Sequence, residues 1–249
     1  MARRPRIEAA TGFYHVVNRS VRKHPLFTQP GDYRAFINIL AEGVVRFEAP
    51  LVAYCVLNNH WHLLFGPLGK MGLSKVMHWV SATHATRWHV AHQSTGLGPV
   101  YQGRFRSTPL HDIASLVPMS RYVERNAKSA GLVDRAEDWP WCSLAQRRAG
   151  SNDVPLMPAA FLTTVTWLEY VNATLTEREK AREQARLAAR RGLLERPVPK
   201  TPESVEKGPG PIRGKAVETG PGPVVGGGHA IGNPVRRSAR RDRLRRRDR

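Results

Sequence analysis

"AYCVLNNHWHLLFG", Ala53 to Gly66, is an apolar run broken by two histidines one residue apart, His60 and His62, before it resumes with Leu63, Leu64 and Phe65. The flanking runs "LVAYCVL" and "HWHLLFG" read as two strands joined by Asn58 and Asn59. Asparagine tolerates left-handed backbone, so a tight hairpin is expected there. Side chains alternate across a strand, which puts His60 and His62 on one face and Trp61, Leu63 and Phe65 on the other. One face is then core, and at this point the other becomes a site. Two imidazoles ~7 Å apart along a strand can converge on one divalent cation. The alternative for such a pair taken alone is two histidines hydrogen-bonded within a half-exposed strand.

Outward from the hairpin, the pattern is that of a sheet with helices packed on it. "GFYHVVNRS" (Gly12 to Ser20) is aromatic and β-branched and reads as a strand. "DYRAFINILAEGVVRF" spaces Tyr33, Phe36, Ile37, Leu40 and Val44 as a helix, with Asp32 as N-cap. "GLSKVMHWVSATHATRWHVAH" is a second helix, capped by Ser74 or a neighbour, and "GRFRSTPLH" a further strand. "IASLVPMSRYVERNAKSAG" is helical, with Pro118 near its first turns and Gly131 as its stop. The order β-α-β-β-α-β-α predicts an α+β domain over residues 1–150. Residues 151–194 read as a helical appendix, with high helix propensity but a thin apolar stripe after Leu175. Residues 195–249 are rich in Pro, Gly and charge and have too little apolar mass to fold, so a disordered basic tail is expected.

Charge points to the partner class. The 249 residues include 39 Lys and Arg against 20 Asp and Glu, a net charge of +19. Polyanions follow as partners, nucleic acid first and an anionic membrane surface second. Residues 177–249 hold 20 Lys and Arg against 9 Asp and Glu, so the tail makes the charge extreme. No apolar run approaches membrane length, and "MARRPRIEAATG" lacks the apolar stretch of a secretory signal. Two cysteines, Cys55 and Cys142, make neither a disulfide framework nor a zinc site, which suits a reducing cytoplasm.

A second constellation lies downstream in "SRYVERNAKSAGLV", Ser120 to Val133. Tyr122 and Asn126 are four apart, so a helix stacks them on one face ~6 Å apart along its axis. If that face meets the histidines, two nitrogens and an amide oxygen face a cation beside a nucleophile. Otherwise Tyr122 is a core aromatic and Asn126 a surface residue. In "YQGRFRS", an extended chain puts Arg104 and Arg106 on one face, suited to phosphates. Tyr101 and Phe105 are candidates to stack on unpaired bases, or else core aromatics. His15 and Arg19 share one side of the first strand, where His15 supports the site or serves a hydrogen-bonding role. Arg121, beside the tyrosine, is counted with the DNA contacts. His89 and His92 are expected on the surface, and Trp79, Trp88, Trp139 and Trp141 in packing roles.

His60-Trp61-His62 resembles the His-hydrophobe-His signature of the HUH endonucleases. With "YHVVNR", "YQGRFRS", "RYVERN…AGLV" and "AEDWPWCSL", in that order and spacing, the chain resembles the REP-associated tyrosine transposases. These are insertion-sequence-200-like, single-tyrosine transposases acting on single-stranded DNA. The resemblance covers roughly Arg4 to Arg148 and continues weakly to about Arg191. It implies a ferredoxin-like HUH endonuclease fold. It implies that His60 and His62 ligate Mg²⁺ or Mn²⁺, that Asn126 is the third protein ligand, and that Tyr122 is the nucleophile. It further implies cleavage of single-stranded, hairpin-forming repeats through a 5′-phosphotyrosine, by a monomer or homodimer at the bacterial nucleoid. Asn58-Asn59 stands where Pro-Asn is usual, and Ala127 where many relatives have proline. The competing function is a domesticated protein that binds structured single strands without cutting them.

Overall fold

In the computed structural model the two runs around Asn58 form an antiparallel hairpin, β2 (Leu51–Leu57) and β3 (His60–Phe65). The structure describes residues 12–68 and 72–194, so the expected basic tail lies outside the described residues. The turn falls at Asn58 and Asn59, but neither takes the expected left-handed backbone. Tertiary bonds hold it instead. The Asn58 carbonyl accepts from Leu26 N and Phe27 N, and the Asn59 carbonyl accepts from Ser20 N. Asn59 Nδ2 donates to Lys23 O at 3.0 Å.

β1 (Tyr14–Arg19) pairs antiparallel with β3 on one side and with β4 (Arg106–Pro109) on the other. The strand order is therefore β2-β3-β1-β4. α1 (Pro30–Arg46) connects β1 to β2, and α2 (Gly72–Ala91) connects β3 to β4. This β-α-β-β-α-β order with β3 threaded between β1 and β2 is the ferredoxin-like arrangement. α1 begins two residues before Asp32, the expected cap. Pro30 presets the first turn, Gln29 is the N-cap, and Asp32 closes a capping box from inside the helix. Ser74 likewise lies inside α2 rather than ahead of it.

α1 and α2 cover one sheet face, where Phe36, Leu40, Val76 and Met77 pack on Val16, Trp61, Leu63 and Phe65. The other face carries α3 (Leu116–Glu124), α4 (Asn126–Ser129), α5 (Ser143–Arg148) and α6 (Val165–Asn172). β2 is buried at all seven positions, which is why its sequence is a continuous apolar run. The single helix expected up to Gly131 is broken at Arg125, between α3 with Tyr122 and α4 with Asn126, and Gly131, with φ 69°, follows the end of α4. In α6, Trp167 and Val171 are buried against α3, and α7 (Glu177–Leu194) follows. The sheet, its helices and the start of α7 belong to the first of two units, residues 1–189, and the second runs 190–249. Among the described residues no helix is long and apolar enough to cross a membrane.

Candidate active site

β1 and β3 build the floor of the site. Their register sets His62 opposite Val17, His60 opposite Arg19 and His15 opposite Leu64. Alternation then turns His15, His60 and His62 to the face that α3 covers. His15 and His62 stack with centroids 5.2 Å apart and planes within 7°. His15 Nε2 lies 2.9 Å from His62 Nδ1, in a pair where one ring donates and the other accepts. His60 meets His62 edge-on at 5.1 Å. Its Nδ1 lies 2.7 Å from Asn59 Oδ1. An amide oxygen only accepts, so His60 carries its proton on Nδ1 and its lone pair on Nε2.

α3 brings the tyrosine. The Tyr122 ring stands edge-on to His15 and to His62, 5.6 Å from each. The ring is half-buried, whereas His62 is fully buried. Tyr122 also borders a small cleft with Arg125 and Arg182. All four rings belong to one chain. Asn126 follows one turn later, and its Nδ2 donates to the Tyr122 carbonyl at 2.8 Å, leaving the amide oxygen as its acceptor.

What fixes the tyrosine helix is a buried carboxylate that the sequence reading did not single out. Glu124 is fully buried and accepts from Ser143 Oγ at 2.6 Å, from Trp167 Nε1 at 2.8 Å and from Arg147. Burial raises its pKa above the usual carboxylate range, and the Arg147 guanidinium offsets part of that. Arg147 also donates to the Val52 carbonyl, so the cluster ties α3 to α5 and β2. No local pattern marks Glu124, since its three partners lie 19, 23 and 43 residues away.

Three residues expected at the DNA are buried in the protein's own packing. Arg121 is 3% exposed, ion-paired with Glu179, and stacked over the Tyr170 ring at 4.1 Å. It also donates to the Ala173 carbonyl, and so serves as a clamp between α3 and the α6–α7 junction. Those interactions hold Glu179 at a pKa of about 2, through the Thr176 backbone N–H first and Arg121 next. Tyr101 and Phe105 are buried in the α1–α2 core, not presented for stacking in solvent. Tyr101 is immobilised by Trp61 Nε1 at 3.0 Å and His84 Nδ1 at 2.7 Å. Arg104 and Arg106 are both exposed, but β4 begins only at Arg106, and Arg104 lies in the preceding loop. Arg19 closes β1 beside His60. His92 stacks on Trp88 and lies 3.4 Å from Asp32, and His89 pairs with Ser94, which accounts for both without a metal. The four tryptophans pack against the core.

The donor set on β3 suits a divalent cation in part. His60 offers Nε2, and His62 offers Nε2 when it donates from Nδ1 to His15. Among the described residues no group of three or more His, Cys, Asp or Glu converges.

Residues 10–126 match the family model described as "Transposase IS200 like". A solved REP-associated tyrosine transposase bound to a REP hairpin is similar at 20% identity, covering 71% of this chain and 100% of its own, with a TM-score of 0.47. A putative transposase from Deinococcus radiodurans R1 is 16% identical, covering 49% of this chain and 96% of its own, with a TM-score of 0.37. No curated protein sequence matches the chain.

Proposed function

We propose that this chain, whose residues 10–126 match the IS200-like transposase family, is a metal-dependent endonuclease and strand transferase for single-stranded DNA. The observation that carries the proposal is the Tyr122 ring standing 5.6 Å from both His15 and His62. A nucleophile and an imidazole pair share one face of the sheet.

The phenol oxygen attacks phosphorus in line with the 3′-oxygen. A P–O bond forms to Tyr122, the P–O3′ bond breaks, and the departing oxygen takes a proton to become a 3′-hydroxyl. A weak nucleophile of this kind depends on being positioned. The Glu124 cluster and the Arg121 clamp supply that by holding α3 against the sheet. His60, His62 and the Asn126 amide oxygen are the groups that would hold Mg²⁺ or Mn²⁺. When bound, the cation withdraws charge from a non-bridging phosphate oxygen and orients the phosphorus. His15 keeps His62 in one ring orientation through its nitrogen contact. One phosphodiester bond replaces another, so a second 3′-hydroxyl can reverse the step and join a new strand. The net charge of +19 and the exposed Arg104 and Arg106 suit a single-stranded, hairpin-forming substrate. Such a protein acts where DNA is, in the bacterial cytoplasm.

The test uses end-labelled single-stranded hairpins with Mn²⁺. A covalent protein–DNA adduct is expected from the wild-type chain and none from Tyr122→Phe. An adduct that persists in Tyr122→Phe rejects the tyrosine. Tight hairpin binding with no adduct under any divalent cation would instead mark a non-cleaving binder.

A further inference from the structure

On the sheet face opposite the histidines, a groove of about 710 Å³ opens between α2 and the loop 99–105. That size falls within the range of about 300–1,000 Å³ typical of ligand pockets. Met77, Val100, Tyr101 and Phe105 give it apolar walls. Its cations are Lys75 and Arg104, and no carboxylate lines it. Asn18, at the end of β1, contributes a side chain to it and is only 6% exposed.

The Asn18 amide is oriented by its surroundings. Its Oδ1 accepts from the Arg19 backbone N–H at 3.0 Å, and a backbone N–H can only donate. Its Nδ2 is therefore the group left over, and this buried donor meets no acceptor among the described residues. Buried donors in folded proteins are nearly always paired, so this one calls for an acceptor that arrives from outside. The acceptor must fit an apolar slot and carry negative charge toward Lys75 and Arg104. A nucleobase with its flanking phosphates has that chemistry: flat apolar faces, carbonyl or ring-nitrogen acceptors, and anionic groups on either side.

We propose that this groove binds one unpaired nucleobase of a DNA strand, with Asn18 Nδ2 donating to the base and Lys75 and Arg104 contacting its phosphates. The proposal rests on the reading of the chain as acting on single-stranded DNA. β4 is an edge strand and exposes Arg106, so a strand seated in the groove reaches the histidine face around that edge.

The experiment is run in full-length Tyr122→Phe protein, so that binding is measured apart from cleavage. Fluorescein-labelled dT12 is compared with an abasic 12-mer carrying the same phosphates. Asn18→Ala removes the donor, and Ala82→Phe fills the groove from an exposed position on α2. The parent protein is expected to prefer dT12, and each variant to lose about tenfold on dT12 with little change on the abasic strand. Equal weakening of both strands would overturn the proposal, because it would indicate a charge or folding effect. So would unchanged dT12 binding in Ala82→Phe, or a parent protein that does not distinguish the two strands. None of these outcomes bears on the Tyr122 adduct, whose absence in wild-type protein would sink the cleavage reading by itself.

Discussion

Acidification probes the buried relay behind β3. His84 is 2% exposed and packs against Phe27, Phe36 and Tyr101. Burial holds its pKa at about 4, below the usual 6.5, because the charged ring would lose its water. Trp61 Nε1 donates to the Tyr101 oxygen, which leaves the phenol hydrogen for His84 Nδ1. A second ring proton would displace that hydrogen bond. Because the folded pKa lies below the unfolded one, the unfolded chain takes up the proton first as pH falls. Stability is thus full above about pH 6.5 and is lost as pH falls toward about 4. The gap is about 2.5 pH units at about 1.36 kcal/mol each. Going from pH 7 to 4.5 spans most of it, so the loss is about 2 kcal/mol. Urea melts of wild type and His84→Gln at both pH values measure it. Glutamine does not titrate, and the remaining groups titrate in both proteins, so the difference between the two pH losses isolates His84. Equal losses in the two proteins would refute the assignment of a buried, neutral His84.

Two further perturbations bear on the site. His15→Phe keeps a stacked ring but removes the nitrogen facing His62, and the Mn²⁺ concentration needed for adduct formation is expected to rise about 10- to 100-fold. An unchanged Mn²⁺ dependence would show that His15 does not orient His62. Glu124→Leu strands the Arg147 cation in the interior, and urea unfolding should show a loss of about 3–5 kcal/mol. Glu124→Leu with Arg147→Met should recover most of it, and a double variant no more stable than the single would contradict the paired-charge account.

The parts of this protein that were legible in the sequence are those set by neighbours along the chain. Alternation in "HWHLLF" placed both histidines on one face, and the structure has them there. Apolar spacing located α1 and α2, and Gly131 marked the end of α4, though the break at Arg125 between α3 and α4 was not legible. Boundaries were less legible. Asp32 and Ser74 have the chemistry of caps, but a cap side chain works one turn inside a helix as well as ahead of it, as the Asp32 capping box shows. The surroundings of Arg121, Tyr101 and Phe105 were illegible for a different reason. An arginine or an aromatic has the same local signature whether it meets a phosphate, a base, or a partner 58 or 40 residues away, as Arg121 meets Glu179 and Tyr101 meets Trp61.

The sequence by itself determined the hairpin, the shared face of His60 and His62, the excess of positive charge and the helical spacing that makes Tyr122 and Asn126 neighbours. Each is a property of chain periodicity or of composition. Only the tertiary structure decided that Tyr122 stands over His62 and His15, that Glu124 and Arg121 anchor its helix, and that Asn18 faces a basic groove. Those are contacts between segments 19 to more than 100 residues apart. They arise from how α3 is pressed onto the sheet by burial, which no periodicity along the chain records.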